Sequence, residues 1–293
     1  MYRLAADRKK STVSVACAED SHVLEAAKEA AERGIADFVF VGDEAKIRKL
    51  SEGLLLDLSS HTVVHEPNME EACKKAVSYV ARGEAGALMK GLVDTSVILK
   101  AVLNKEAGMR AGKKLSHLAA FETKTYHKLL FVTDAAINIA PSLDEKIEII
   151  ENAVLAVQNL GLAKPKVALL AAKEKADPKM PATVEIAEIV DRHKEHESGI
   201  FPTAIVDGPF ALDNAVSKES AEVKGIDSPV AGDADILVAP NIESANILYK
   251  SLAFLGGASV GGVVIGASRP VILTSRADSA ESKLISIALG VLF

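Results

Sequence analysis

The sequence predicts an α/β protein of two lobes, built mainly from parallel sheet covered by helices. Short β-branched runs alternate with charged segments of helical period from the first residues onward, the pattern of repeated βαβ units. Hydrophobic residues make up 49% of the chain while aromatics make up 4% and Trp is absent, so the core is aliphatic, as buried parallel strands require. At 293 residues the chain exceeds the usual size of a single core. Two lobes imply a cleft between them.

In the first βαβ series, residues 12–18, 38–41, 62–65, 86–89 and 129–132 read as strands, with 115–121 as a further one. Helical period marks 22–33, 69–81 and 94–103. A second series opens after AAINIAPS, where Ser142 caps a helix running through Leu160 and Glu145 holds the capping-box position. Strands at 167–171, 203–206 and 236–238 then lead to helices near 182–193, 211–217 and 242–255. Two last β-rich pieces, 262–265 and 270–273, precede an amphipathic helix over 279–292, and pattern alone assigns this unit to neither lobe. KEKADPK, residues 173–179, is a polar surface loop.

Composition excludes several classes. The net charge of -6, with Lys and Arg spread along the chain, offers no basic face for nucleic acid. Cys17 and Cys73 stand apart with no metal-ligand spacing, so no metal is expected and both read as inert core thiols. The apolar run near the N-terminus is too short for a signal segment or a membrane span, so a cytoplasmic protein without membrane partners is expected. Neither GxGxxG after a strand nor GxxxxGK occurs, which removes the dinucleotide fingerprint and the P-loop.

The informative constellation is ILTSRADSAES, a β run ending at Thr274 before a helix capped by Asp278 or Ser279. Ligands in open α/β folds collect where strands end at their carboxyl side. There the Ser275 hydroxyl, the Arg276 guanidinium and helix N-terminal amides can converge on one anion, with Arg offering two parallel bonds to phosphate. Equally open is a plain turn with Arg276 in solvent. In the first lobe, Lys90 and Gly91 follow a strand while Asp94, Thr95 and Ser96 open a helix, which suits either an anion contact or a capped turn. Asn138 follows another strand, to bond substrate or to fix its loop. Arg110, Lys113 and Lys114 fit the phosphates of an anionic ligand or a solvated loop, and His117 reads as a structural histidine. Asp207 is expected at a strand end before a Gly-Pro turn, facing substrate.

The segments AGALMKGLVDTS, LSHLAAFE, IVDGPFALDNAVSKESAEVKGIDSPVAGDADILVAPNIESANILYKSL and SRADSAESKLISIALGVL resemble the phosphate butyryltransferase branch of the phosphotransacetylase family. The resemblance implies the exchange butanoyl-CoA plus phosphate giving butanoyl phosphate plus CoA, with acetyl as the shorter alternative. It also implies an isocitrate/isopropylmalate dehydrogenase-like fold with a cleft, residues 1–139 plus 264–293 forming one domain and 140–263 the other. Ser275 and Arg276 match the family's Ser-Arg pair, associated with phosphate or acyl phosphate. The acidic residue proposed as base in acetyl-transferring relatives lies seven positions after that Ser, where this chain has Ser282, leaving Asp278 and Glu281 as nearby carboxylates. Lys90, Gly91, Thr95, Asn138 and Asp207 are the expected substrate-binding residues. Partners are acyl-CoA, phosphate and acyl phosphate, with no permanent cofactor and a homo-oligomer, dimer or higher. An NAD- and metal-dependent dehydrogenase of the same fold and a non-catalytic CoA-binding protein are the readings of other classes.

Overall fold

The computed structural model describes residues 1–106, 109–195, 199–274 and 278–293. The chain divides into two compact units, Met1–Lys113 with Val260–Phe293, and Lys114–Ser259. These bounds differ from the expected 139/140 and 263/264. The cause is strand pairing, since Ser116–Glu122 pairs with Leu130–Thr133, which pairs in turn with Ile236–Val238.

The first unit runs α1 (Tyr2–Ala6), β1 (Ser11–Ala16), α2 (Ser21–Glu32), β2 (Ala36–Gly42), α3 (Glu44–Leu54), β3 (Thr62–His65), α4 (Met69–Ala81), β4 (Ala87–Lys90) and α5 (Thr95–Val102). The second holds β5 (Ser116–Glu122), β6 (Leu130–Thr133), α6 (Leu143–Asn159), β7 (Lys166–Leu170), α7 (Pro181–Glu195), β8 (Ile205–Phe210), α8 (Leu212–Val216), α9 (Lys218–Val223), β9 (Ile236–Val238) and α10 (Ile242–Lys250), which continues as a π-helical turn over Ser251–Leu255. The chain then returns as β10 (Ser259–Ile265), β11 (Val271–Ile272) and α11 (Ala280–Leu292). In the first unit the strand order is β3-β2-β1-β4-β11-β10, parallel except between β11 and β10. In the second it is β5-β6-β9-β7-β8, parallel except between β5 and β6.

Local chemistry explains the element starts. Asp20, Asp43 and Asn68 each turn a side-chain oxygen onto first-turn amides of α2, α3 and α4, meeting donors that the helix leaves unsatisfied. Ser142 and Glu145 complete the expected capping box on α6. Apolar periodicity does the rest, with Val23, Leu24, Ala27 and Ala30 burying one stripe of α2. α11 is different, buried continuously from Lys283 to Gly290, so it packs as an interior helix. Arg8 Nη1 donates to the Leu292 carbonyl at 2.7 Å, a cation on the orphan acceptors of that helix's end. Among the described residues no helix is long and apolar enough to cross a membrane.

Several elements differ from expectation, α1 and α9 among them, which no expected helix covers. The strand expected over 203–206 instead spans Ile205–Phe210 and takes in Asp207, Gly208 and Pro209. Proline is admissible because β8 is an edge strand, and the register slips between Ala168/Asp207 and Leu170/Phe210. α3 bears no strong apolar run and was not anticipated; Ile47 is the large side chain it buries.

Ser142→Ala is expected to lower the unfolding free energy by about 1 kcal/mol, seen as a lower urea midpoint at unchanged slope. Asp233 gives a pH test. Burial favours its neutral form, but hydrogen bonds from Lys166 (2.5 Å), Lys128 and His127 outweigh that and hold its carboxyl below the ordinary carboxylate range. The depressed folded value means this stability is present above the unfolded pKa of about 3.9 and is lost as pH falls through the folded one. Asp233→Asn should therefore lower stability at neutral pH and flatten its acid-side decline, measured by urea unfolding between pH 7 and 3.

Candidate active site

The first unit contains a topological switch point. From β1 the chain winds outward to β2 and β3, then crosses back to place β4 on the other side of β1. Connections leaving β1 and β4 therefore diverge at the carboxyl ends of the strands, where such sheets bind ligands. Register aligns those ends, with Ala16 opposite Lys90 and Ile272 opposite Met89. β4 thus lies between β1 and the strand that leads, through Leu273 and the buried Thr274, to Ser275 and Arg276. Ser275 and Arg276 lie outside the described residues, and the description resumes at Asp278.

Three expected residues gather at this switch point. Lys90 is 6% exposed, and its Nζ donates to the carbonyls of Gly91 at 3.3 Å and Val93 at 3.1 Å. Two carbonyl dipoles thereby hold a cation at the strand ends, where an anion would gain most from it. Gly91 follows, its amide donating to the Ala16 carbonyl at 2.8 Å while the Leu92 amide donates to the Cys17 carbonyl at 2.7 Å. A Cβ on Gly91 would stand 2.1 Å from the Cys17 oxygen and 2.7 Å from the Ala16 oxygen, so close backbone approach is what requires glycine here. Thr95 is the exposed first residue of α5, and Asp94 takes the N-cap position without a side-chain capping bond.

On the far side of the Ser-Arg pair, α11 begins on Ser279, the cap of the two candidates, whose hydroxyl accepts the Ser282 amide at 3.1 Å. The Ser282 hydroxyl lies 3.2 Å from that of Ser279, and its carbonyl accepts the Ser286 hydroxyl at 2.8 Å. The residue standing where a base was sought is therefore tied into the helix start. Lys283 is buried, with Nζ donating to the Asp278 carbonyl at 2.8 Å. Burial pushes its pKa down, opposed by the carboxylates of Asp278 and Asp20. Lysine inside an otherwise apolar helical stripe was the missed signal for this contact.

Asn138 and Asp207 belong to the second unit. Asn138 Nδ2 donates to the Leu115 carbonyl at 2.8 Å and to Asp134 Oδ2 at 2.6 Å, while Asp134 Oδ1 accepts the amides of Ala136 and Ile137, both at 3.0 Å. Its amide group thus serves the loop-fixing role left open by the sequence, and Asp134 is the partner that reading missed. Asp207 lies within β8 rather than at a strand end, because the strand continues through the Gly-Pro pair. Its carboxylate accepts the Gly208 amide at 3.0 Å, pairs with Lys194 at 3.5 Å, and lines a polar cavity of about 410 Å³ with Glu174, Lys175 and Lys224. Asn138 follows β6 and Asp207 lies on β8, three places away in the strand order. Lys114 is engaged by Glu145, and His117 packs edge-on to Tyr249 at 6.0 Å between centroids. A second cavity, about 580 Å³ and apolar, opens where β7 and β9 end, against Met180, Pro181 and Leu248.

Known proteins match this chain over nearly its whole length. The family model described as phosphate acetyl/butaryl transferase matches residues 2–75 and 61–291. The phosphate butyryltransferase of Clostridium acetobutylicum is 45% identical over 285 residues, covering 97% of this chain and 94% of that protein. The phosphate acetyltransferase of Thermotoga maritima is 42% identical, covering 97% and 96%. Among solved structures, a branched-chain phosphotransacylase from Enterococcus faecalis superposes with a TM-score of 0.85 at 37% identity, covering 96% of this chain and 98% of that one. A 4-hydroxythreonine-4-phosphate dehydrogenase from Klebsiella pneumoniae, at 14% identity and a TM-score of 0.59 over 97% and 100% of the two chains, shares the fold alone.

The Gly91 approach makes a direct test. Gly91→Ala is expected to destabilise the protein by about 1–3 kcal/mol in urea unfolding, through overpacking against two carbonyls. Gly53→Ala, in open space on α3, should be neutral or mildly stabilising. Equal midpoints for the two variants would contradict the close approach.

Proposed function

The chain belongs to the phosphate acetyl/butaryl transferase family, and from that premise we propose that it exchanges coenzyme A for phosphate on a butanoyl group, at a site anchored by Ser275 and Arg276. It is an acyltransferase. The observation that carries the siting is the register of β4, which sets Lys90 between the end of β1 and the strand leading to the Ser-Arg pair. An acetyl group is the second reading, favoured by the 42% identity to the Thermotoga enzyme.

In the forward direction a phosphate oxygen attacks the thioester carbonyl carbon, charge builds on the carbonyl oxygen, and the C–S bond then breaks to release CoA thiolate. Arg276 offsets phosphate charge through paired hydrogen bonds, and the Ser275 hydroxyl donates to the developing oxyanion. Lys90 adds a fixed positive field at the same strand ends, with Gly91 allowing the close backbone approach there and Thr95 opening α5 beside it. In reverse, the CoA thiol must lose its proton, and with a pKa of about 8.5 a few per cent is already thiolate at neutral pH. Transfer is direct within a ternary complex, with acyl-CoA and phosphate as substrates and no resident cofactor. We read the two units as an isocitrate/isopropylmalate dehydrogenase-like pair, a reading supported by the fold shared with the Klebsiella chain. A homo-oligomer is supported by Ile247, Phe254 and Leu255, which expose 67%, 74% and 88% of their surface on α10 and its π-turn.

The test is CoA release from acetyl-, propanoyl-, butanoyl- and isobutanoyl-CoA, with and without phosphate. Phosphate-dependent release fastest with butanoyl-CoA is expected; phosphate-independent release would mark a thioesterase, and reduction of NAD in the presence of Mg²⁺ a dehydrogenase. Arg276→Ala should lower turnover by on the order of a hundredfold or more with the circular dichroism spectrum unchanged. Near-normal turnover with unchanged phosphate dependence would remove Arg276 from the site.

A further inference from the structure

Cys17 and Cys73 are the chain's two cysteines, and both are free and buried, at 2% and 0% exposure. They come from elements far apart in sequence and meet beside the switch point. Cys17 follows β1 with φ of 54°, in the left-handed region that a non-glycine residue rarely occupies. Its Sγ reaches the Met69 carbonyl, 3.8 Å away in the first turn of α4. Cys73 lies one turn further along that helix from Met69, beside the Cys17 thiol.

The pair is asymmetric. The neighbouring Cys17 thiol pushes the Cys73 pKa down, against burial and the Glu70 charge, with Lys90 assisting. Proximity to Cys73, burial and the Glu19 charge push Cys17 up. Cys73 is accordingly the thiol that reacts first, with Cys17 beside it. Their place matters as much as their chemistry. The Cys17 carbonyl takes the Leu92 amide at 2.7 Å, and Gly91 is packed on the same carbonyl, so Cys17 cannot move without moving the turn whose carbonyls hold Lys90.

We propose that Cys17 and Cys73 form a hydroperoxide-sensitive thiol pair whose disulfide displaces the turn at residues 91–93. The Cys73 thiolate attacks a peroxide oxygen, breaking the O–O bond to give a sulfenic acid and hydroxide. The Cys17 thiol then attacks the Cys73 sulfur, forming the S–S bond as the second oxygen leaves as water. One hydrogen peroxide is reduced to two waters while two thiols are oxidised to one disulfide. Burial makes the pair selective for a small oxidant over bulky aromatic disulfides.

The experiment treats the reduced full-length protein with hydrogen peroxide and follows intact mass, free thiols and amide hydrogen exchange. Loss of two hydrogens with no added oxygen is expected, both thiols disappearing together and dithiothreitol restoring them. Exchange at Leu92 should rise on the order of tenfold in the oxidised form. Cys73→Ala should show no two-hydrogen loss and no peroxide effect on Leu92, and Cys17→Ser supplies the same control from the other side. Stable addition of oxygen to the wild-type protein, thiols lost independently, or a disulfide that leaves Leu92 exchange unchanged would each overturn the proposal. A reversible fall in acyl transfer on oxidation rests on the reading of the preceding subsection. Absence of acyl transfer from the reduced protein would sink that reading, while the mass and exchange results still decide the thiol pair.

Discussion

The packing of Gly91 onto the carbonyls of Ala16 and Cys17 is the contact on which the first unit depends. It fixes how closely the connection after β4 can lie on the end of β1, at the place where the winding of the sheet reverses. Around it, the main-chain groups of the turn are drawn inward. The amides of Gly91 and Leu92 spend themselves on β1 carbonyls, and the carbonyls of Gly91 and Val93 turn to the Lys90 ammonium. The buried charge is thus solvated by backbone dipoles belonging to the turn that it stabilises, which lowers the cost of keeping a lysine there.

The returning segment supplies the second half of the arrangement. α11 is an interior helix that nonetheless carries Lys283 and Ser286, and both have defined tasks. Lys283 grips the backbone at Asp278, two residues beyond Arg276, and Ser286 bridges the Ser282 carbonyl and the Gly262 amide of β10. Polar side chains inside such a helix position chain segments, since each satisfies a main-chain group that would otherwise be buried alone.

Much of this was legible in the sequence. The alternation of β-branched runs with helical period marked nearly every strand, because a parallel strand buried on both faces must be continuously aliphatic. The capping box at Ser142 was legible because its chemistry is local, confined to three residues of spacing. What escaped depends on partners distant in sequence. Asn138 could be placed in a loop, but only folding reveals that Asp134 and Leu115 consume its amide. Asp207 was set at a strand end because Gly-Pro reads as a turn, whereas an edge strand with free donors on one side tolerates it. Lys283 hid within an apolar stripe. The meeting of Cys17 with Cys73 left no trace in spacing at all, since 56 positions separate them and neither stands in a motif.

The return of Val260–Phe293 to the first unit also sets an order of events during synthesis. The second unit is encoded in one uninterrupted stretch and holds all its strands by residue 238, so it can close its core on the ribosome. The first unit cannot: β11, the neighbour of β4, and α11, which covers the sheet, are translated after the second unit, and Arg8 must wait for the carbonyl of Leu292. Closing so long a loop is slow chiefly because of the chain entropy lost before any contact repays it. The strand whose chain leads on to Ser275 and Arg276 is therefore seated only after the second unit has been made, so the candidate catalytic pair arrives at an architecture that is already largely built.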